Sequence, residues 1–267
     1  MTTAQARHGH GPSSARSFAV WSLAWTLVRT DFKSRYHGTL GGFFWAFLKP
    51  LAMFVVLASV FSFIFASDSR YTTNLLIGLF LYEFFAEGTK TGLQALHAKG
   101  FLVGKAKFPL WVIVVASTSN AALSLALFGV ILTIWTAATQ SMVALQVIPL
   151  FVTYLASYCA VVVGFSLGAS VLFLKYRDLN QVWEVVIQAG LFLAPVIYPL
   201  SIIPERFQFY LYLWPPTPVI QFTRLLFVDG AVPTLRAHTF LYIEAAVVVV
   251  AGALIFRRYA PSAAENL

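Results

Sequence analysis

Long apolar runs joined by short basic links restrict this chain more than any other feature. Residues 43–66, 109–136, 147–174 and 240–256 are each nearly uncharged and apolar on every side. A soluble helix or strand would alternate with its period instead, so these runs predict helices with lipid as solvent. Only 10% of the chain is charged and 59% is hydrophobic. A soluble domain carries about 25% charged residues, enough to cover a wet surface. The expected fold is therefore an all-α integral membrane protein, and the length fits one membrane domain. The net charge of +8 does not point to nucleic acid, because no basic stretch is interleaved with exposed aromatics on a soluble fold. Cys159 lies alone inside an apolar run, which suits a small core residue and allows no intrachain disulfide.

Residues 1–17 are polar and lack both an apolar core and a small-residue cleavage pattern, so they read as a disordered tail rather than a cleavable signal. Over 18–38, Phe18, Trp21, Trp25, Val28, Phe32 and Tyr36 recur at spacings of three and four, with Ser22, Thr26, Arg29, Thr30 and Lys33 between them. That pattern predicts an amphipathic helix in the membrane interface, or one packed on another protein. Asp31 and Arg35 are spaced for an i,i+4 pair. The transmembrane domain occupies 39–258, with a tail over 259–267. Six spans are expected: Phe43–Ala66, Asn74–Leu96, Pro109–Thr136, Val147–Leu174, Val182–Tyr198 and Phe240–Phe256. Lys49 and Pro50 fall inside the first; Pro50 would kink it, and Lys49 would snorkel toward headgroups. Pro109 suits a first helical turn.

The second span is the least apolar. Glu83, Glu87 and Lys90 share one helical face, either as a structural ion-pair stripe or as the lining of a pathway. Between Pro199 and His238 the chain is rich in proline, and its apolar stretches Phe207–Leu213 and Val219–Val228 are too short to cross alone. They read as re-entrant or interfacial helices before the last span. Six spans put both termini on one side. Twelve Lys and Arg residues in or near the links fall on that side, against Arg70, Arg206, Arg224 and Arg236 on the other, which predicts cytoplasmic termini.

Motifs for chemistry fail. Gly100-Phe-Leu-Val-Gly104-Lys105-Ala106 is one residue short of a phosphate-cradling loop and lacks its hydroxyl. Five scattered histidines show no metal-ligand spacing, and no nucleophile elbow is present. No catalytic residue, metal or cofactor is expected in this chain.

Several segments carry a resemblance. Asp31–Tyr36 and Leu40–Leu51, then Gly78–Glu87, Leu102–Pro109, Lys175–Gln181 and Pro195–Leu200, occur in an order that resembles polysaccharide-export ABC transporter permeases of the O-antigen and teichoic-acid type. Lys49 and Trp214-Pro215 depart from it, which bears on the particular substrate rather than the class. The resemblance implies a bacterial inner-membrane homodimer, no ATPase of its own, and two copies of a partner ABC ATPase binding ATP and Mg. It also implies a lipid-linked glycan as cargo. The expected docking residues are Arg29, Lys33, Arg35, Lys99, Lys105, Lys107, Lys175, Arg177 and Asp178. Candidates for the substrate path are Lys49, Glu83, Glu87 and Lys90 with Tyr71, Tyr82, Tyr198, Tyr210, Tyr212 and Trp214; the aromatics also fit an interfacial belt. Lys49 would receive an anionic carrier if it does more than snorkel. A secondary transporter would show paired broken helices in internal repeats, which are not evident. A membrane enzyme and an exporter of drugs or other lipids are the remaining alternatives.

Overall fold

The computed structural model describes residues 12–36, 44–65, 68, 70–105, 109–139 and 147–265, and no strand occurs among them. The α-helices are α1 (Pro12–Tyr36), α2 (Phe44–Ile64), α3 (Tyr71–Ala98), α4 (Gly100–Lys105), α5 (Trp111–Thr139), α6 (Val147–Lys175), α7 (Leu179–Leu193), α8 (Glu205–Tyr212), α9 (Pro216–Phe227) and α10 (Leu235–Tyr259). Short 3-10 turns cover Leu200–Ile202 and Ala260–Glu265.

Two apolar clusters sort the ends of the bundle. Leu96, Ile113, Val114, Val171, Leu174 and Ala263 pack together at one end. Tyr71, Phe128, Phe151, Ile197, Phe227 and Leu241 belong to the larger cluster that reaches the other end. Hence α3, α6 and α10 run one way and α5 the opposite way. Starting after Asp178, α7 rises from the first end until Ala194 enters the larger cluster. At the far end of α2, Phe65 stacks on Tyr71 with ring centroids 4.9 Å apart. Thus α2, α3, α5, α6, α7 and α10 alternate in direction. The end with Lys99, Arg177 and Arg257 is called the basic end below, and the end with Tyr71 and Pro199 the distal end.

Among the described residues, three helical stretches are long and apolar enough to cross a membrane: Trp111–Ile134, Val147–Lys175 and Leu235–Ala263. Leu48–Ile64 is a shorter apolar stretch. The span expected over Val182–Tyr198 is corrected. Helix α7 ends at Leu193, and its 15 residues rise only about 22 Å against a hydrocarbon core of about 30 Å. Ala194 precedes Pro195 and takes an extended ψ of 123°, as the pyrrolidine ring demands of its predecessor. Pro109 also moves outside the expected first turn: α5 begins at Trp111, and the Pro109 carbonyl accepts from Val112 N at 3.1 Å. Pro50 does lie inside α2.

A frame of three parallel helices carries the fold. Gly88 and Gly92 of α3 face Val162 and Ser166 of α6. On the opposite face of α6, Gly164 and Gly168 meet Val249 and Gly252 of α10. A methyl on Gly164 would stand 2.7 Å from Val249 Cα and 3.0 Å from its nitrogen, so only hydrogen fits. Small residues four apart let helix backbones approach closely where lipid supplies no hydrophobic drive. Buried aromatics fill the neighbouring layer, with Tyr158 stacked near Phe85 and donating to Leu81 O at 3.1 Å.

The packed side of α1 is offset from its aromatic stripe. Leu23, Ala24, Leu27, Val28, Asp31 and Phe32 are partly covered, and α1 lies against α5. Trp21 and Trp25 stay 69% exposed beside exposed Arg29 and Lys33. Asp31 binds Lys99 at the C-terminal cap of α3, where α1 docks, and the side chain of Arg35, expected to pair with Asp31, lies outside the described residues. At the other terminus, Ala263 is buried against the basic-end cluster, so the turn after α10 is packed.

Candidate functional site

The polar face of α3 organises the side of the bundle away from α10. Glu83, Glu87, Lys90, Gln94 and His97 follow at intervals of four and three, which holds them on one stripe. The structure distributes most of their partners to other helices. Lys49 of α2 pairs with Glu83. Lys90 pairs with Glu184 of α7 at 2.5 Å. Glu87 accepts from Thr91 Oγ1 at 3.3 Å. Gln94 donates to Asn180 Oδ1 at 2.6 Å, and Arg177 Nη1 approaches His97 Nε2 at 3.0 Å. Lys99 binds Asp31 and Ser117 Oγ, the latter at 3.0 Å. Among the described residues, α1, α2 and α7 thus each reach α3 or its C-terminal cap through an ion pair, at three different heights.

Neutral contacts reinforce the α3–α7 seam. Trp183 donates to Thr89 Oγ1 at 3.0 Å and stacks on Phe165, with centroids 4.1 Å apart. Tyr82 donates to Ile187 O.

At the distal end the broken chain after α7 leaves carbonyls that no helix satisfies. Arg224 of α9 is fully buried and supplies them. Its guanidinium donates to Pro195 O at 2.6 Å, Val196 O at 2.9 Å, and Asn74 O at 2.8 and 3.0 Å. Gly78 makes room: a methyl there would stand 2.7 Å from Arg224 Nη2. Tyr71 donates to Ile197 O at 2.8 Å, and Arg70 pairs with Asp229 at 2.7 Å. Pro216 occupies the first turn of α9, where a missing N–H costs nothing. Gly230 closes the exit with a φ of 64°. In this way α8 and α9 are folded back onto the bundle by a planar five-donor cation.

The expected site residues separate into three groups. Lys175, Arg177 and Asp178 are exposed in the α6–α7 link, close to His97 and the end of α3; Arg29 and Lys33 are exposed on α1. Lys105 lies in α4; Lys107 and the side chains of Arg35 and Lys105 lie outside the described residues. Tyr71 and Tyr82 are buried in the core, whereas Tyr210 is 65% exposed on α8. Tyr198, Tyr212 and Trp214 are half-covered; Trp214 packs edge-on against Phe85 at 5.5 Å. No His, Cys, Asp and Glu group that could hold a metal occurs among the described residues.

Residues 22–228 match the profile of the ABC-2 type transporter family. This chain belongs to that family. ABC-2 type proteins of this kind form the membrane part of a transporter, and the helical, apolar architecture agrees. The chain is 26% identical over 264 residues to the O-antigen export system permease protein RfbA of Klebsiella pneumoniae, covering 93% of this chain and 96% of that one. A second Klebsiella pneumoniae RfbA is 25% identical over the same shares. The Myxococcus xanthus RfbA is 26% identical over 190 residues, 68% of this chain and 70% of its own. The family match includes α1 from Ser22, the ion-paired stripe and the Arg224 clasp. Sequence reading missed Arg224, which counted there only as a distal charge. Its accessible signal was an arginine inside an otherwise apolar, proline-started helix.

Proposed function

We propose that this chain is the membrane subunit of an ATP-driven exporter of a lipid-linked polysaccharide, such as an O-antigen or teichoic acid. Two copies of it would pair in the cytoplasmic membrane with two copies of a separate ABC ATPase that binds ATP and Mg. The observation that carries this reading is similarity to O-antigen export permeases along 93% of the chain and 96% of the relative. The alternation of six helices supports six crossings, the one begun by α7 being completed by the buried segment 194–197, with α8 and α9 folded back on the distal side. The excess of Lys and Arg at the opposite end supports cytoplasmic termini.

In this reading the ATPase docks at the basic end, on α1 and the links near 97–108 and 175–181. Exposed Lys175, Arg177 and Asp178 lie at the foot of α7, whose ties to α3 are polar and local. ATPase closure would move α7 and the segment behind it against the α3–α6–α10 frame. Exposed Tyr210 and half-covered Tyr198 would give a sugar chain an apolar sliding face. Lys49, 73% exposed at its side chain and held by Glu83, would receive the carrier's phosphate.

Purification with the candidate ATPase tests this. The two should co-purify, and added lipid-linked polymer should stimulate ATP hydrolysis. Arg177→Glu should weaken co-purification at unchanged membrane abundance. Full co-purification of that variant, or hydrolysis indifferent to polymer, would overturn the reading.

A further inference from the structure

Helix α4 cannot hold its own position. It has six residues, and an isolated helix shorter than about 12 residues is marginal even with good helix formers. Its placement therefore comes from what it packs on. Its main neighbours are the end of α3 and the 3-10 turn Ala260–Glu265.

That turn also packs on α6 and α10. Ser262 Oγ donates to Tyr259 O at 3.1 Å, which ties the turn to the last residue of α10. Ala263 is 2% exposed, in one apolar cluster with Leu96, Ile113, Val171 and Leu174. Leu102 of α4 lies against the same cluster. The turn thus bridges α4 to the α6–α10 side of the frame, and Leu102 is the side chain that seats the short helix.

The seat decides where the rest of α4 points. Successive side chains on a helix stand about 100° apart. With Leu102 turned inward, its neighbour Phe101 is left 71% exposed. A large ring stays open at the end of the bundle that also exposes Lys175 and Arg177. Aromatic rings flanked by arginine are the kind of group that anchors protein interfaces.

We propose that the turn Ala260–Glu265 is a strut that seats α4 on the frame and so holds Phe101 outward for a partner subunit. The partner is the ABC ATPase, and for this occupant the inference rests on the export reading; the seat itself does not. Ala263 is a positioning residue, acting on docking through α4. A docked ATPase then has two unlike footholds. One, at α4, is fixed to the α3–α6–α10 frame through the strut. The other, at residues 175–181, is the foot of α7.

The test uses the full chain in detergent, in a Cys159→Ala background, with and without the candidate ATPase. Leu102→Cys reports the seat, and Ala169→Cys reports the frame, where Ala169 is 6% exposed in a separate cluster. Ala263→Arg forces a charge into the apolar cluster. The cysteine at 102 should then react with maleimide at least about tenfold faster, because labelling follows the population of the locally opened state. The cysteine at 169 should stay protected, and co-purification of the ATPase should be lost. Phe101→Ser should also lose co-purification but leave position 102 protected. Ala263→Ser adds only a hydroxyl among the same side chains. It should move both readouts the same way by less, and it serves where arginine unfolds the frame. Unchanged labelling at 102 in both Ala263 variants would overturn the strut. Faster labelling with full co-purification, or full co-purification of Phe101→Ser, would overturn its role in docking. An ATPase that fails to bind even the parent chain would overturn the export reading instead, and labelling at 102 would still decide the strut.

Discussion

Helix α3 has two unlike neighbours. Toward α6 it presents Gly88 and Gly92, and the α3–α6–α10 layer closes by backbone approach. Toward α2 and α7 it presents charge, with the Lys49–Glu83 and Lys90–Glu184 pairs among the contacts that hold those helices. The difference lies in what a displaced contact can do. A glycine crossing that separates loses its dispersion contacts with nothing to replace them. A half-exposed ion pair can exchange its partner for water, an anion or another side chain at a cost of about 1 kcal/mol or less. The first side therefore suits a fixed frame and the second a moving wall.

The sharpest way to break this contrast is to fill the frame. Gly164→Leu drives a branched side chain into the backbone of Val249, 2.7 Å from where even a methyl would sit. Overpacking of this kind costs about 3 kcal/mol or more when backbone must shift. The variant should fail to accumulate in membranes, as read by immunoblot of the full chain. Normal abundance would remove the frame from the account.

Next in size is the clasp. Arg224→Met strands the carbonyls of Pro195 and Val196. At about 1–3 kcal/mol for each buried unpaired group, a loss of about 2 kcal/mol or more is expected. Arg224→Lys should recover only part of it, because a point charge cannot span three carbonyls as a planar fork does. Melting of the purified protein reads both. Equal melting of Arg224→Lys and the parent would reduce the clasp to simple charge.

The smallest expected stability effect belongs to the ion-paired side. Lys90→Glu should change the melting free energy by about 1 kcal/mol or less, since both partners are more than a third exposed. Export should nevertheless fall, and adding Glu184→Lys should restore it by re-forming the pair in reverse. If the double variant exports no better than the single, the pair is not the contact that matters.

How much of this was legible follows from what each feature depends on. The ends of α6 and α10 are set by local apolar runs and came within a few residues of expectation, and the prolines before Thr217 marked α9. Helix α7 was overextended because Val196 to Tyr198 continue the apolar run while Pro195 ends the helix. That Asp31 reaches Lys99 and Lys90 reaches Glu184 was not legible, because local spacing shows only neighbours on one helix, whereas tertiary packing sets contacts between helices. The four-residue glycine spacing at 88 and 92, and at 164 and 168, is visible in the sequence. Which helix each pair faces is not, since that depends on how separate helices assemble.

The claim that α7 moves against a fixed frame can be tested by locking each side in the assembled exporter. In a Cys159→Ala background, cysteines at Lys90 and Glu184 bridged by a reducible bis-methanethiosulfonate linker would cross-link α3 to α7, and cysteines at Gly168 and Ile255 would form a disulfide between α6 and α10. A methyl on Gly168 would stand 3.6 Å from Ile255 Cβ, within disulfide reach. Export of lipid-linked polymer is measured oxidised and again after reduction. The α3–α7 lock should stop export and reductant should restore it, while the α6–α10 lock should leave export unchanged. Undiminished export with α3 and α7 locked would contradict the claim.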